Sequence, residues 1–264
     1  MIYLKNPDQI KKMQIAGRIT GEALLLAGEA VREGVTTAQL DKIIRNHIEK
    51  SGAKPSFLGY GGFPASACIS VNDEVIHGIL SPKKILKEGD IVKIDVGAFI
   101  NGFHGDAART FAVGKIAENA ARLIEVTKES FYRGVAHATV GARIGDIGAA
   151  VEACAKENGY SVVRRYVGHG VGHELHESPE VPNFGTPGRG SRIYAGMVIA
   201  IEPMVNEGVC DVHEMPDGWT VKTARFRQKS CMMTAGLSPW RSNPFRSGSI
   251  FALCGIGFID CAAV

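Results

Sequence analysis

Asp90-Ile91-Val92-Lys93-Ile94-Asp95-Val96-Gly97-Ala98-Phe99-Ile100, then Asn101-Gly102, then Phe103-His104-Gly105-Asp106-Ala107-Ala108-Arg109-Thr110-Phe111-Ala112-Val113 is the stretch that decides the fold. Two apolar, β-branched runs joined by Asn-Gly are the strongest short signal for a hairpin, because both turn residues tolerate positive φ. A two-residue turn pairs Ile100 with Phe103 and sets Asp95 opposite Ala108. Side chains alternate along a strand, so Asp95 and Asp106 share one face, as diagonal neighbours roughly 7–8 Å apart at the backbone. Val92, Ile94 and Val96 take the other face, toward a core. Two like charges on one sheet face repel unless a positive group lies between them, and a divalent cation is the simplest such group. Two solvated surface aspartates are the plain alternative.

Outward from the hairpin, the pattern alternates between helices and strands. Ile10, Met13, Ile15, Ile19, Ala23, Leu24 and Ala27 recur at helical spacing behind an Asn6-Pro7-Asp8 start, and Gly34 ends the segment. A second helix begins at Thr36 or Thr37 and reaches Gly52. Ser66 to Val71 reads as a strand. Helices are expected over Ala117–His137 and Ile144–Asn158, and strands over Ser161–Val167, Met197–Asn206 and Trp219–Thr223, with a Gly/Pro-rich loop from Ser178 to Gly190. This order predicts an α+β fold, a mainly antiparallel curved sheet covered by helices on one face.

Two further groups carry chemistry. Gly168-His169-Gly170-Val171-Gly172-His173-Glu174-Leu175-His176-Glu177 sets three histidines and two glutamates among glycines. It is not the helical HExxH zinc motif, since its histidines stand one residue too close, nor a dinucleotide fingerprint. Glycines let backbone approach a ligand, and neutral imidazoles bind metals or shuttle protons. Met197-Val198-Ile199-Ala200-Ile201-Glu202-Pro203 is an apolar strand carrying one glutamate, costly to bury unless it is paired or coordinated. His77 in Val75-Ile76-His77-Gly78 is, taken alone, a structural histidine.

Ile76-His77-Gly78, Asp95-Val96-Gly97, Gly105-Asp106-Ala107, Gly168-His169-Gly170-Val171-Gly172 through His176-Glu177, and Ile201-Glu202-Pro203 together resemble, in order and spacing, the type I methionine aminopeptidases in their short bacterial form. The resemblance covers roughly residues 1–224. It implies the pita-bread fold, removal of an N-terminal methionine when the next residue is small, and two divalent cations (Co, Mn, Fe or Zn). It further implies that Asp95, Asp106, His169 and Glu202 are metal ligands, with Asp106 bridging, and that His77 and His176 contact the substrate and stabilise the tetrahedral intermediate. A methionine pocket of Phe57, Tyr60, Phe63, Cys68, Leu175 and Trp219 follows by the same comparison; plain core packing is the alternative for these six. The implied partners are N-terminal Met peptides of nascent proteins and, transiently, the ribosome, with a monomeric enzyme.

The resemblance breaks at the C-terminal end. The family's fifth ligand, a second bridging glutamate, belongs to a final strand with a pattern like Gln-Phe-Glu-His-Thr about thirty residues after Glu202. Here the chain follows the family through Asp217-Gly218-Trp219-Thr220-Val221-Lys222-Thr223-Ala224, has no glutamate beyond Glu214, and carries Cys231, Met232, Met233 and Thr234 in that region. Residues 225–264 also hold five basic side chains against one acid, Asp260, and half of the six cysteines. We hypothesise a reading-frame change near Ala224; a coding sequence with no Gln-Phe-Glu-like continuation in either other frame would sink it. The expectations are a catalytic domain over 1–224, an aberrant tail over 225–264, a weak second metal position, an exposed sheet edge where the last strand is lost or replaced, and low activity.

Composition excludes other classes. The net charge of +3 is concentrated in the tail, so no nucleic-acid footprint marks the rest. No apolar run reaches the length of a membrane span and no N-terminal leader is evident. Six scattered cysteines without a CxxC pair point to reduced thiols and the cytoplasm. Two alternatives share the implied fold: a proline-specific peptidase, which usually carries an extra N-terminal domain, and a non-catalytic or weakly active binding protein, in which scattered ligand loss is expected.

Overall fold

The computed structural model describes residues 1–225, 228–239 and 250–252. Two capping boxes start the first helices. In α1 (Pro7–Ala30) Asn6 accepts from the Gln9 amide while the Gln9 side chain accepts from the Asn6 amide; Thr36 and Gln39 repeat the exchange for α2 (Thr37–Lys50). A short strand β1 (Lys54–Pro55) leads through a 3₁₀ turn at Tyr60–Gly62 to β2 (Ala67–Val71) and β3 (Glu74–Ile76). The hairpin forms β4 (Ile91–Ile100) and β5 (Phe103–Ala112) in the register that its turn demands: Ile100 pairs with Phe103, Asp95 with Ala108 and Gly97 with Asp106.

Helices α3 (Glu118–His137) and α4 (Ile144–Glu157) follow, then β6 (Tyr160–Val162), β7 (Gly168–Gly170), β8 (Glu177–Val181), β9 (Ile199–Ile201), β10 (Met204–Glu207), β11 (Val212–Glu214), β12 (Val221–Thr223), β13 (Ser230–Met232), β14 (Thr234–Pro239) and β15 (Ile250–Ala252). The main sheet runs β1-β4-β5-β14-β9-β7-β8, with β2 added on β4 and β15 on β14, and its pairings are antiparallel. One half of the core packs Leu24, Leu40, Ile44 and Ile48 of α1 and α2 on Val92, Ile94 and Val96. The other packs Phe131 and Ile147 of α3 and α4 on Ile199 and Ile201. Helices therefore cover the face opposite Asp95 and Asp106, as the alternation of the hairpin requires.

Four expectations need correction. The run 161–167 is not one strand: β6 ends at Val162, and β7 begins at Gly168 in a different sheet. The run 197–206 breaks at Glu202-Pro203 into β9 and β10, again in different sheets, because proline has no N–H to continue a ladder. The segment from Ser178 is not wholly loop, since β8 pairs there with β7. The expected exposed edge between the halves is filled: the divergent residues of β14 form a strand that pairs with β5 on one side and β9 on the other. Backbone pairing asks little of side chains, and Thr234-Ala235-Gly236 is small enough to enter the slot. Among the described residues no helix is long and apolar enough to cross a membrane. Cys68, Cys154, Cys210 and Cys231 are free thiols.

Candidate active site

Asp106 on β5, His169 on β7 and Glu202 at the end of β9 converge. His169 Nε2 lies 3.4 Å from Asp106 Oδ2 and 3.2 Å from Glu202 Oε1, and one donor atom of each residue falls within 4.8 Å of the others. The glycines flanking His169 are required: a Cβ at Gly168 would collide with the Ala200 carbonyl, and one at Gly170 would come 2.5 Å from the Ser178 carbonyl oxygen. β7 thus sits tightly between β8 and β9. Its own Gly170 carbonyl, 2.8 Å from His169 Nδ1, accepts a hydrogen bond that leaves Nε2 directed at the carboxylates.

Burial and mutual repulsion disturb these groups. Burial, then the Glu202 charge, raises the Asp106 carboxyl to about 7. Burial, then Asp106 and Glu202, lifts Asp95 well above the ordinary carboxylate range. At His169 burial opposes the charge, yet Glu202 and Asp106 overcome it and raise the imidazole to about 10. The carboxylates thus favour a positive group among them, and the charged His169 ring is one. Asp95 Oδ1 is buried and without a hydrogen-bond partner. Two carboxylates and an imidazole around one point fit a divalent cation, and an orphaned carboxylate oxygen beside them fits a further demand for one.

A cavity of about 340 Å³ opens on this cluster. Its walls include Asp95, Asp106, His169, Glu202, His77 and His176 together with Phe57, Tyr60, Phe63, Cys68, Leu175 and Trp219, and Phe57, Phe63, Cys68, Leu175 and Trp219 pack there as one apolar cluster. Every site residue named from the sequence thus reaches the same cavity. Trp219 meets Phe63 edge-on at 5.1 Å and is held by Asp217, whose carboxylate accepts from the Trp219 amide at 2.9 Å. His176 Nδ1 lies 2.8 Å from the Tyr60 hydroxyl, with its ring 4.2 Å from that of His169. Burial, then the His169 charge, lowers His176 to about 4, and burial also lowers His77. Both imidazoles are therefore neutral near pH 7. Burial, then Asp95 and Asp106, keeps Cys68 a protonated thiol.

Sequence reasoning did not find Ile76, Arg165, Tyr166, Val167, Met204 and Met232 on the cavity wall. Tyr166 packs edge-on against His77 at 5.7 Å. Nothing local marks these residues; strands brought together from distant segments place them. His173, grouped with the other histidines by sequence, lies apart, its Nδ1 2.9 Å from the Gly102 carbonyl oxygen at the hairpin turn.

Comparison with known proteins agrees with this geometry. Residues 11–236 match metallopeptidase family M24. The methionine aminopeptidase of Clostridium acetobutylicum is 54% identical over 223 residues, 84% of this chain and 89% of that protein. That of Clostridium perfringens is 56% identical over 224 residues, 85% of this chain and 90% of that protein. The crystal structure of the Thermotoga maritima methionine aminopeptidase superposes with a TM-score of 0.92 at 38% identity, covering 96% of this chain and 99% of the other. Prolidase from Pyrococcus furiosus, 24% identical, shares the fold at a TM-score of 0.74, with this chain spanning 65% of its length. The α+β architecture is the pita-bread fold, and the chain belongs to the methionine aminopeptidases of metallopeptidase family M24.

Proposed function

We propose that this chain removes the N-terminal methionine from peptides and nascent proteins whose second residue is small. The observation that carries the reading is the lining of the cavity: the apolar cluster of Phe57, Phe63, Leu175 and Trp219 shares it with the Asp106–His169–Glu202 cluster. A methionine side chain seated among these residues brings its own peptide carbonyl to the cluster. A divalent cation bound there, one of Co, Mn, Fe or Zn, would supply Lewis acidity toward that carbonyl and toward a water. Asp106, His169 and Glu202 would hold it, with the Asp95 carboxylate beside them.

The protein's own groups then act on the substrate. With the Tyr60 hydroxyl donating to His176 Nδ1, the proton of the neutral ring sits on Nε2 and can be donated to the developing oxyanion. His77, also neutral and lining the same cavity, supplies a second donor. Cys68 as a thiol adds no charge to a pocket meant for a thioether. In this reading residues 1–224 are the catalytic domain and 225–264 a divergent end that costs activity. The working form is a cytoplasmic monomer that meets its substrates near the ribosome.

The test is methionine release from Met-Ala-Ser and Met-Leu-Ser peptides by the purified chain with added Mn²⁺ or Co²⁺. Release from the first only, abolished by chelation and by His169→Ala, supports the reading. Equal cleavage of both, or cleavage that survives His169→Ala, overturns it.

A further inference from the structure

Asp95, Ala108 and Thr234 form one row across three strands: Asp95 pairs with Ala108, and Ala108 with Thr234. Their side chains therefore project on the same face, toward the cluster. Two oxygens in this row are buried without hydrogen-bond partners, Asp95 Oδ1 and Thr234 Oγ1. Buried polar atoms are nearly always satisfied, so two orphans on one row leave that row short of a polar or charged partner. Thr234 is 2% exposed, so bulk water does not meet the need.

We propose that this row is an unfinished second cation position, and that Thr234 leaves it so: the chain holds one divalent ion firmly and a second weakly. The inference rests on the metal-dependent reading given above. Strands β4 and β14 lie two sheet spacings apart, about 9–10 Å at the backbone. A threonine hydroxyl, one bond beyond Cβ, is too short to close that gap with Asp95 around a single ion, and it carries no charge. A glutamate at 234 would reach two bonds further and bring the anion that a second divalent ion needs. A Cβ added at Gly236, the next residue on this face of β14, would meet no atom closer than 3.8 Å, so the neighbouring position is not tightly filled.

The test is Mn²⁺ titration by calorimetry and equilibrium dialysis, with thermal melts on the same samples. The native chain should bind one ion tightly and a second about 100-fold more weakly. Thr234→Glu should bind two ions tightly and gain a larger metal-dependent rise in Tm. Thr234→Gln, of equal length without the charge, should behave as the native chain does. Asp95→Asn should lose the weak ion and keep the tight one, a result that does not depend on the Thr234→Glu protein folding. Two equally tight ions in the native chain, or one ion in folded Thr234→Glu, would overturn the inference alone. A native chain that binds no ion would remove the proposed function as well.

Discussion

The ammonium of Lys93 donates a hydrogen bond to the carbonyl oxygen of Ser230 at 2.8 Å, joining β4 to β13 across 137 residues of chain. It also donates to the Asn72 carbonyl oxygen at 2.7 Å, in the turn between β2 and β3. Lys93 is 1% exposed and shares its sheet face with Asp95. Burial lowers it to about 8, so it stays charged at neutral pH. One buried charge thus ties together the strands that present Asp95, His77 and the start of β14.

Lys93→Met should leave both carbonyls unpaired while removing a charge from the interior. The first effect outweighs the second, with a net loss of about 2 kcal/mol. Urea unfolding measures it. An unchanged midpoint would mean that the clamp adds nothing to stability.

The pair Lys5–Glu177 is also buried, each side chain 3% exposed, and Glu177 opens β8 directly after His176. Removing one partner leaves an uncompensated charge: Lys5→Met or Glu177→Gln should each cost about 3–5 kcal/mol. The double variant Lys5→Met/Glu177→Leu should recover most of that loss. Losses that simply add would show that the two side chains are not coupled.

His104 supplies a pH dependence away from the cluster. Its ring lies 4.5 Å from that of Phe99 and its Nδ1 2.9 Å from Ser56 Oγ. Burial lowers it to about 4 from an ordinary 6.5, against the pull of Glu177. The unfolded chain takes up this proton first as pH falls. The contribution is therefore complete above 6.5 and is lost on acidification toward 4. Melts between pH 7 and 4.5 should show a shallower acid loss in His104→Gln; parallel curves would refute the assignment.

Tyr60→Phe keeps the wall of the cavity and removes the hydroxyl beside His176 Nδ1. The imidazole is then free to change tautomer, and kcat should fall about 10-fold with little change in KM. A change confined to KM would make Tyr60 a wall residue only.

Much of this was legible in the sequence, for reasons that differ by element. The β4–β5 register follows from Asn101-Gly102 because the turn alone fixes it, and Asp95 and Asp106 are brought to one face by it. The helix starts at Asn6 and Thr36 carry their caps in adjacent residues. Glu202-Pro203 was harder: an unbroken apolar run hides a strand that changes sheets at the proline. β14 was harder still, since Thr234-Ala235-Gly236 has no strand pattern and takes its conformation from β5 and β9 on either side. Tyr166 and Met232 reach the cavity only through tertiary placement, which no local pattern records.

The position of β14 has a consequence in time. β5, which carries Asp106, and β9, which leads into Glu202, do not pair with each other; the strand between them is made after both. As the polypeptide is synthesised, the two halves of the sheet can each form early, but the strand that continues the main sheet from β5 to β9 is added only when residues 234–237 have left the ribosome. Until then the strand that lies between those of Asp106 and Glu202 is absent from the sheet, so their spacing is fixed last.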